Sequence, residues 1–431
     1  MNSGAVAPSL QEIASRVAGY DPKSLPVAQA QEFIARLVPR VQAVEMVALR
    51  AGLGRVLAKG IVASSNVPGE DNSAMDGYAL RGAELQADRE RAFTVAGAGF
   101  AGQHFSGTVA SGECVRIMTG AVMPEGLDTV VPQELVTLVD GVVHVPAGVV
   151  RGGDNRRLAG EDLARGGTVL AAGRVLGPAD LGLLASLGHA EVPVFRRLRV
   201  AFFSTGNELR SVGEPLPPGA VYDSNRYTLW AMLQRLGVDT LDLGVVGDDP
   251  VALEAAFRTA AAEADAVITS GGVSVGEADH TKAVMASLGD VLFWRIAMRP
   301  GRPMAIGRIE SHGRSAVLFG LPGNPVAVMV TFYALVRDAL LAMSGATTAP
   351  LPMLRAASAE AIRKRPGRTE YQRGIVARAA DGEWQVRITG SQGSGILRSM
   401  SEANGLVVLG HEQGDVGVGE LVDVMPFAGI A

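Results

Sequence analysis

The spacing of hydrophobic and polar positions changes along the chain, and each spacing predicts a different kind of element. Apolar residues from Val27 to Val38 recur every three or four positions, and residues 51–62 carry a second, shorter pattern of that kind, so both predict helices. Residues 92–148 alternate short apolar runs with turn signals, which predicts β-structure. Beyond Arg199, strand-like and helix-like patterns alternate, and from Pro350 short alternating runs return.

These patterns predict a multidomain α/β plus β protein with four parts. A helical N-terminal segment precedes an inserted β domain, a doubly wound parallel-sheet domain and a C-terminal β-barrel. The expected boundaries are 21–62 with 150–192 for a discontinuous helical, dimerisation domain, 63–149 for the inserted β domain, 193–347 for the α/β domain and 348–431 for the barrel. Residues 1–22 lack periodicity and are expected to form a loosely held leader.

Five apolar runs predict the strands of the α/β domain. They are LRVAFFSTG (198–206), DTLDLGVVG (239–247), DAVITSGG (265–272), DVLFWRIAM (290–298) and SAVLFGLPG (315–323). Helices are predicted between them, at about 225–236, 250–263, 279–288 and 325–343. Because ligands of such sheets bind beyond the carboxyl ends of the strands, this edge is the predicted site.

A glycine-rich turn follows the third of these strands. Gly271, Gly272 and Gly276 lie between the strand and a helix expected to begin at Asp279. Glycines let backbone N–H groups approach an anion, and a helix N-terminus adds a partial positive charge, so the turn suggests phosphate or oxyanion binding. A tight βα turn with no ligand is the alternative.

Acidic and basic residues share the same predicted edge. Glu208, Asp248 and Asp279 lie there together with Arg299 and Arg302. This mixture suits a phosphate bound beside a divalent cation, because the cation needs oxygen ligands and the phosphate needs donors. Helix N-capping before Pro250 is the alternative role of Asp248 and Asp249; it weighs as much as ligand binding for Asp249 and less for Asp248.

Other polar segments allow two interpretations each. Asp71 and Asp76 lie in a loop without regular structure and are either metal ligands or turn residues. Arg151, Arg156 and Arg157 either bind an anion or lie in a solvated loop. In the barrel region, 392–395 and 399–401 either contribute a polar wall or, as the preferred interpretation, form plain loops.

Composition limits the function classes. The chain has 431 residues, 48% hydrophobic and 19% charged, as expected of a globular protein with several cores. Its single cysteine, Cys114, excludes an intrachain disulfide and a cysteine zinc cluster. No signal-peptide pattern and no uncharged apolar run of about 20 residues is found, so we expect a cytosolic protein without a membrane span. The net charge of −5 does not favour nucleic acid as a partner.

Taken together, the segments resemble the molybdopterin molybdenumtransferase family, MoeA in bacteria and the E domain of gephyrin. The matching motifs run in family order over nearly the whole chain. They are DNSAMDGYA (71–79), RIMTGA (116–121), GED (160–162), STGNEL (204–209), YDSNR (222–226), GDDP (247–250), TSGGVSVGEAD (269–279), FWRIAMRPGRP (293–303) and GLPGNPV (320–326).

The resemblance implies an enzyme that takes adenylylated molybdopterin and molybdate and yields molybdenum cofactor and AMP with the help of Mg²⁺. It implies the catalytic residues Asp279, Glu208, Asp248, Asp76, Thr119 and Asp162, of which Asp248, Asp279 and Glu208 hold the metal. It implies substrate contacts from Gly271, Gly272, Ser274, Gly276, Asn207, Pro322, Gly323, Asn324, Arg295, Arg299 and Arg302. A homodimer, in which Asp76 reaches the site of the other subunit, is also implied, and a molybdopterin adenylyltransferase and molybdoenzyme chaperones are the expected partners.

The chain departs from the family at positions 295, 299 and 302, which are arginine where relatives usually have lysine. A planar fork of donors replaces a point charge, so the choice between molybdate and tungstate is open. A tungstate-preferring paralogue and an adenylyltransferase-like enzyme are alternatives within the enzyme class. A non-catalytic molybdopterin-binding scaffold is the alternative from another class.

Overall fold

The computed structural model describes residues 8–273, 279–348 and 351–427, except for the side chain of Asp279. Its helices are α1 (Leu10–Ser15), α2 (Val27–Leu37), α3 (Pro178–Ser186), α4 (Ser224–Arg235), α5 (Pro250–Glu263), α6 (Asp279–Leu288), α7 (Pro325–Thr331), α8 (Arg337–Met343) and α9 (Leu397–Glu402). A π-helical turn, Phe332–Val336, joins α7 to α8.

The first twelve strands are β1 (Val44–Ala48), β2 (Ile61–Val62), β3 (Asn72–Ser73), β4 (Gly77–Leu80), β5 (Arg91–Gly99), β6 (Glu113–Ile117), β7 (Thr129–Pro132), β8 (Thr137–Val139), β9 (Val142–Val145), β10 (Arg156–Arg157), β11 (Thr168–Leu170) and β12 (Glu191–Phe195). The next nine are β13 (Arg199–Thr205), β14 (Leu209–Arg210), β15 (Val221–Tyr222), β16 (Asp239–Val246), β17 (Ala266–Ser270), β18 (Gly289–Arg295), β19 (Met298–Arg299), β20 (Pro303–Ser311) and β21 (Arg314–Leu321). The last five are β22 (Leu354–Ser358), β23 (Thr369–Arg378), β24 (Trp384–Ile388), β25 (Gly405–Leu409) and β26 (Leu421–Pro426).

The described chain forms two compact units. The larger unit comprises the described parts of Met1–Glu45, Gly54–Ala58 and Val194–Ala431, and the smaller unit comprises Met46–Leu53 and Lys59–Pro193. The mixed α/β and β fold class expected from the sequence is confirmed. The division into four domains stays a prediction.

A six-stranded sheet in the order β16-β13-β17-β21-β20-β18 forms the centre of the larger unit. Strands β16, β13, β17 and β21 are parallel, as predicted, and their carboxyl ends meet at one edge. Strand β20 runs antiparallel to both of its neighbours and was not predicted. Its core residues are interrupted by the polar Arg308 and Glu310, so it lacks the clean apolar run of the central strands.

Side chains of β13 alternate between the two faces of this sheet and explain the helices on both. Val200 and Phe202 belong to the core that includes residues of α2, α4 and α7. Ala201 and Phe203 belong to the core that includes residues of α5 and α6. Since successive residues of a strand point to opposite faces, a fully apolar strand requires cover on both sides.

The N-terminal residues 8–22 are not a loose leader, and that expectation is wrong. Helix α1 begins with a capping box in which Ser9 accepts a hydrogen bond from the Glu12 N–H. Leu10 and Ile13 are fully buried, and the Trp294 indole N–H donates to the Tyr20 hydroxyl over 2.8 Å. Helix α1 has only six residues, which are too few for a helical periodicity to be recognised in the sequence.

The second predicted N-terminal helix, over 51–62, is also wrong. The structure has one 3-10 turn, Leu49–Gly52, followed by irregular backbone and strand β2. Gly54 has φ +71°, a left-handed conformation that ends helical structure and that glycine adopts without strain. Three glycines in this short segment therefore outweigh its helical spacing of apolar residues.

The C-terminal region is the predicted barrel. Strands β23-β24-β22-β26-β25 form a continuous sheet that closes when β25 pairs with β23. Strand β19 extends it by pairing in parallel with the start of β23, Met298 opposite Thr369 and Arg299 opposite Glu370. Residues 399–401 lie in helix α9, so the interpretation of that segment as a plain loop is wrong.

The smaller unit contains the predicted β segment. Its six strands are ordered β7-β4-β6-β5-β9-β8, and separate apolar clusters cover the two faces of this sheet. Cys114 is fully buried in it, and this burial raises the pKa of the thiol to about 12. Helix α3 lies in the same unit and is followed by Gly188, whose φ of +77° is the left-handed conformation typical of a helix C-terminus.

One helical run of the described residues, Pro325–Met343, is long and apolar enough to cross a membrane. Most of it is buried in the core of the larger unit, where Val326, Val328 and Leu340 are completely covered. It therefore packs as a core helix.

Candidate active site

The candidate site is a cleft at the carboxyl ends of β13, β16, β17 and β21. Its volume is about 410 Å³. Residues from the loops after these strands line it: Thr205, Gly206, Glu208, Asp248, Gly271, Gly272 and 323–325. The rule for parallel sheets therefore predicted the position of the cleft.

Two glycines make the turn after β17. Gly271 has φ +94° and Gly272 has φ +69°, both in the left-handed region. A Cβ on Gly271 would lie 2.5 Å from the Thr205 carbonyl oxygen, and one on Gly272 would lie 2.6 Å from Thr281 Cγ2. The Gly271 N–H donates to the Leu321 carbonyl over 3.1 Å, so this residue holds the turn against β21.

The later part of this turn, with Ser274 and Gly276, lies outside the described residues, as does the side chain of Asp279. Helix α6 begins at Asp279, as predicted. The roles expected of these three residues stay predictions.

Two of the carboxylate residues that line the cleft, Glu208 and Asp248, were predicted to lie there. A Cβ on Gly206 would lie 2.5 Å from Glu208 Oε2, so the Glu208 carboxylate lies directly over that glycine. Asp248 is held by reciprocal bonds with Asn207, whose N–H donates to Asp248 Oδ2 over 3.2 Å and whose Oδ1 accepts from the Asp248 N–H over 3.1 Å. Asp249 has the other role that the sequence allowed, since its side chain caps α5 by accepting from the Ala252 N–H.

Buried polar residues support the wall of the cleft. Asp223 Oδ1 accepts from the Ser204 hydroxyl over 3.0 Å, and the Ser204 and Ser270 hydroxyls are 2.9 Å apart. Asn225 Nδ2 donates to the Gly323 carbonyl over 2.7 Å. Asp223 and Asn225 were missed as site residues, although both lie in the YDSNR motif, because an aspartate before a helix reads as an N-cap.

The arginines at 299 and 302 do not line this cleft, so placing them along it is wrong. The chain leaves the central sheet after Arg295, an exposed residue at the end of β18, and then joins the barrel through β19. Arg299 lines a second cavity of about 560 Å³ with the cations Arg363, Lys364, Arg365 and Arg368, which outnumber the carboxylates of Glu370 and Asp415 in the same lining. Arg302 lines a third, of about 340 Å³, which shares Arg365 and Arg368 with the second.

The buried Arg373 lies close enough to Arg299 to be affected by its charge, and it also contacts the loop 391–395. Arg373 donates to the Ser399 hydroxyl over 3.0 Å and to the Gly393 carbonyl over 3.0 Å. Burial, and then the charge of Arg299, lowers the pKa of the Arg373 guanidinium to about 10. One residue after Gly393, the Ser394 carbonyl accepts from the Val326 N–H, next to Pro325 of the cleft. The loop 391–395 therefore contacts Arg373 on one side and the start of helix α7, beside the cleft, on the other.

Three further predicted residues lie in the smaller unit. Asp76 Oδ1 accepts from the Thr119 backbone N–H over 2.7 Å and from the Thr119 hydroxyl over 2.8 Å, and these bonds lower the pKa of the Asp76 carboxyl. Asp162 is exposed, and its backbone N–H donates to the Val67 carbonyl. Asp71 Oδ1 accepts from the Ala159 N–H, so a loop contact occupies this carboxylate.

Among the described side chains, no three of the His, Cys, Asp and Glu residues are grouped as a ready-made metal site. The metal-ligand interpretation of Asp71 and Asp76 therefore has no support from the structure. In the cleft, Glu208 and Asp248 provide carboxylate oxygens beside the glycine turn. Magnesium commonly uses one or two carboxylates and completes its shell with water and substrate phosphate, so this donor set fits that ion.

Family descriptions match the chain in three consecutive parts. "MoeA N-terminal region (domain I and II)" matches residues 25–188, "Probable molybdopterin binding domain" matches 201–342 and "MoeA C-terminal region (domain IV)" matches 355–427. Solved structures agree with this assignment. The molybdopterin biosynthesis MoeA protein from Pyrococcus horikoshii matches 94% of this chain and 100% of its own, in one crystal structure with TM-score 0.80 and 27% identity and in another with 0.75 and 30%.

Relatives named molybdopterin molybdenumtransferase match at similar coverage. The protein from Haemophilus influenzae is 42% identical over 400 residues, which cover 93% of this chain and 98% of that protein. The protein from Nostoc is 36% identical over 392 residues, 89% of each chain. The chain therefore belongs to the molybdopterin molybdenumtransferase, or MoeA, family of transferases in molybdenum cofactor biosynthesis.

Proposed function

We propose that this protein inserts molybdenum from molybdate into adenylylated molybdopterin, releasing AMP and giving molybdenum cofactor. The observation that carries the proposal is the cleft, in which a left-handed glycine turn and the carboxylates Glu208 and Asp248 lie at the ends of parallel strands. The names of the relatives support the same activity.

The step assigned to the cleft is cleavage of the adenylyl phosphoanhydride; in the insertion that accompanies it, molybdate forms two Mo–S bonds to the dithiolene of molybdopterin, and one of its oxygens leaves as water with the two thiol protons. A water molecule adds to the α-phosphorus, and the bond to the bridging oxygen breaks with its electron pair left on the pterin phosphate. AMP then departs, and the proton of the water goes to solvent. No covalent intermediate with the protein is needed, so no nucleotide should remain attached after denaturation.

Residues of the chain bind and orient the anhydride. The turn beginning at Gly271 would bring backbone N–H groups close to the phosphates, in a conformation that a side chain would prevent by colliding with Thr205. When bound, Mg²⁺ would supply positive charge that stabilises the phosphate oxygens as negative charge develops on them. Glu208 and Asp248 would hold it, with Asp279 as a predicted third ligand. Asn207 keeps Asp248 in place through its two hydrogen bonds.

Molybdate binding is proposed for the cationic cavity around Arg299. Guanidinium groups match a tetrahedral oxyanion because each offers a fixed fork of donors. Arg299, Arg365 and Arg368 line this cavity, and Arg302 lines the neighbouring one. The loop 391–395, which contacts Arg373 and α7, would lie between this anion and the cleft. Arg295 remains a predicted contact only.

A homodimer in the cytosol completes the proposal. Asp76 and Thr119 of a second copy would be brought to the cleft in this arrangement. An adenylyltransferase acting on molybdopterin would supply the substrate, and chaperones of molybdoenzymes would take the product. A scaffold that binds without turnover, and a paralogue that prefers tungstate, are the competing functions.

AMP release from adenylylated molybdopterin tests the proposal. With Mg²⁺ present, we expect release that depends on molybdate, and a loss on the order of 10²-fold in Glu208→Gln and in Asp248→Asn. Glu254→Gln, at an exposed glutamate of α5 paired with Arg258, is the matched control and should retain activity. Tight binding without AMP release, in wild type with molybdate or tungstate, would favour the scaffold.

The same assay tests the oxyanion site. Arg299→Ala should weaken the dependence on molybdate more than it weakens binding of the nucleotide substrate, because Arg299 lines the cationic cavity and not the cleft. Arg355→Ala, at an exposed barrel arginine, is the control. Equal losses in both properties would contradict the assignment, and a lower half-saturating concentration for tungstate would identify the paralogue.

A further inference from the structure

Two acceptor atoms in the wall of the cleft have no hydrogen-bond partner among the described residues. They are Asp223 Oδ2 and Asn225 Oδ1, and each exposes less than 1 Å² to solvent. Asp223 is 1% exposed and Asn225 is 7% exposed, and both line the cleft. Buried polar atoms in native proteins nearly always have a hydrogen-bond partner. Two such atoms without a partner at a ligand site therefore indicate that another molecule donates hydrogen bonds to them.

The contacts of the other polar atoms in the same two side chains determine the hydrogen-bonding roles of Asp223 Oδ2 and Asn225 Oδ1. Asp223 Oδ1 already accepts from the Ser204 hydroxyl and from the Arg226 N–H as the N-cap of α4, which leaves Oδ2. Asn225 Nδ2 donates to the Gly323 carbonyl, and a flipped amide would set two oxygens against each other. Both remaining atoms are therefore acceptors and require donors.

The glycine turn of the same cleft has the opposite requirement. Gly271 and Gly272 line the cleft, and the neighbouring Thr205 hydroxyl also has no hydrogen-bond partner among the described residues. A hydroxyl can donate to a phosphate oxygen, whereas the Asp223 carboxylate would repel one. Phosphates of the substrate carry no donors at neutral pH, so they cannot satisfy Asp223 and Asn225.

We propose that Asp223 and Asn225 position the substrate by accepting hydrogen bonds from the exocyclic amino group of a heterocycle. The proposal rests on the function above. In adenylylated molybdopterin two groups carry such an amino group, the pterin and the adenine. These acceptors would then hold the amino group of the substrate, and the glycine turn would hold its phosphates.

Matched ligand pairs test the proposal, because the two members of each pair differ in whether an amino donor or an oxo acceptor stands at one position of the heterocycle. Neopterin monophosphate is compared with its 2-oxo analogue, and AMP with IMP, by calorimetric titration of the full-length protein. Wild type should bind the amino member of one pair at least about tenfold more tightly. A preference in the first pair assigns the pterin to this wall, and a preference in the second assigns the adenine.

Asp223→Asn supplies the protein side of the test. The amide keeps an oxygen for Ser204 and the helix cap but puts an NH₂ group in place of Oδ2, so the preference within the affected pair should disappear or reverse. Asp249→Asn, the same change at the N-cap of α5 outside the cleft, should leave it unchanged. Both variants should keep the melting temperature of the wild type.

Equal affinity of wild type for both members of both pairs would overturn the proposal, and this comparison holds even if Asp223→Asn fails to fold. An unchanged preference in a folded Asp223→Asn protein would also overturn it and assign the two atoms to an internal water. AMP release is measured separately. Its absence with the ligand preference intact would reject the proposed reaction and leave the binding role standing.

Discussion

The contact between Asp76 and Thr119 is a residue-scale feature with a measurable pKa. Two hydrogen bonds from one threonine lower the pKa of the Asp76 carboxyl, the backbone N–H more than the hydroxyl. The lowered pKa stabilises the folded state at pH values above the pKa that Asp76 has in the unfolded chain. This stabilisation is lost as the pH falls through the pKa that Asp76 has in the folded state. At neutral pH the carboxylate is therefore ionised and oriented.

Thr119→Val removes only the hydroxyl. The Asp76 pKa should rise but stay below its ordinary value, because the backbone bond remains. Carbon-13 NMR titration of the side-chain carboxyl measures it. Glu12, whose pKa is lowered by hydrogen bonds from Ser9 in the other unit, is the internal reference and should not move. An Asp76 pKa unchanged by the substitution would mean that the hydroxyl makes no contact in solution.

At this scale the sequence predicted some site residues and missed others for identifiable reasons. Gly271, Gly272, Glu208 and Asp248 follow predicted parallel strands, so topology alone placed them in the cleft. Arg299 was misplaced because the strand before it ends four residues earlier and the chain turns into the barrel. Burial of unpaired atoms, as at Asp223, is not visible in a sequence.

At the scale of elements, helix α1 is an integral part of the core of the larger unit. Leu10 is completely buried in the cluster that contains Phe33 and Trp294. Leu10→Ala should lower the free energy of unfolding by about 2–5 kcal/mol, because it removes buried methyl groups and leaves a cavity. Urea denaturation measures this change.

Gln11→Ala, at an exposed position of the same helix, is the control and should change the free energy of unfolding by less than about 0.5 kcal/mol. If Leu10→Ala lowers the free energy of unfolding no more than Gln11→Ala does, the N-terminal segment is loosely held, as the sequence analysis expected.

The elements predicted best are those with one dominant pattern. Strands β13 and β17 have uninterrupted apolar centres, and helices α4, α5 and α6 were expected within a residue or two of their observed ends. Strand β20 carries charges, and the segment 51–62 has helical spacing in conflict with its glycines. In both cases a long-range pairing or a backbone conformation overrode the local pattern.

At the scale of the whole molecule, the proposed site needs residues from two copies of the chain. Asp76→Asn and Glu208→Gln should each be inactive as pure proteins. Mixing them after mild denaturation and refolding should restore about a quarter of wild-type activity, since half of the dimers are mixed and each has one intact site. The AMP-release assay measures it.

Sedimentation gives the control for this mixture, with a species of twice 44.7 kDa expected. A monomer at micromolar concentration, or no recovery from mixed dimers, would contradict the role of Asp76 across a subunit boundary.

The pairing of β19 with β23 has a consequence for the modularity of the protein. Met298 and Arg299 lie in the chain between β18 of the central sheet and β20, and they pair with β23 of the barrel. Next to them, the Thr369 backbone N–H donates to the Ala297 carbonyl over 2.9 Å. A truncation before residue 350 would therefore leave an unpaired strand edge and would separate Arg299 from the other cations of its cavity. The barrel is consequently not a freely exchangeable module, because four of the five cations that line the cavity around Arg299 belong to it.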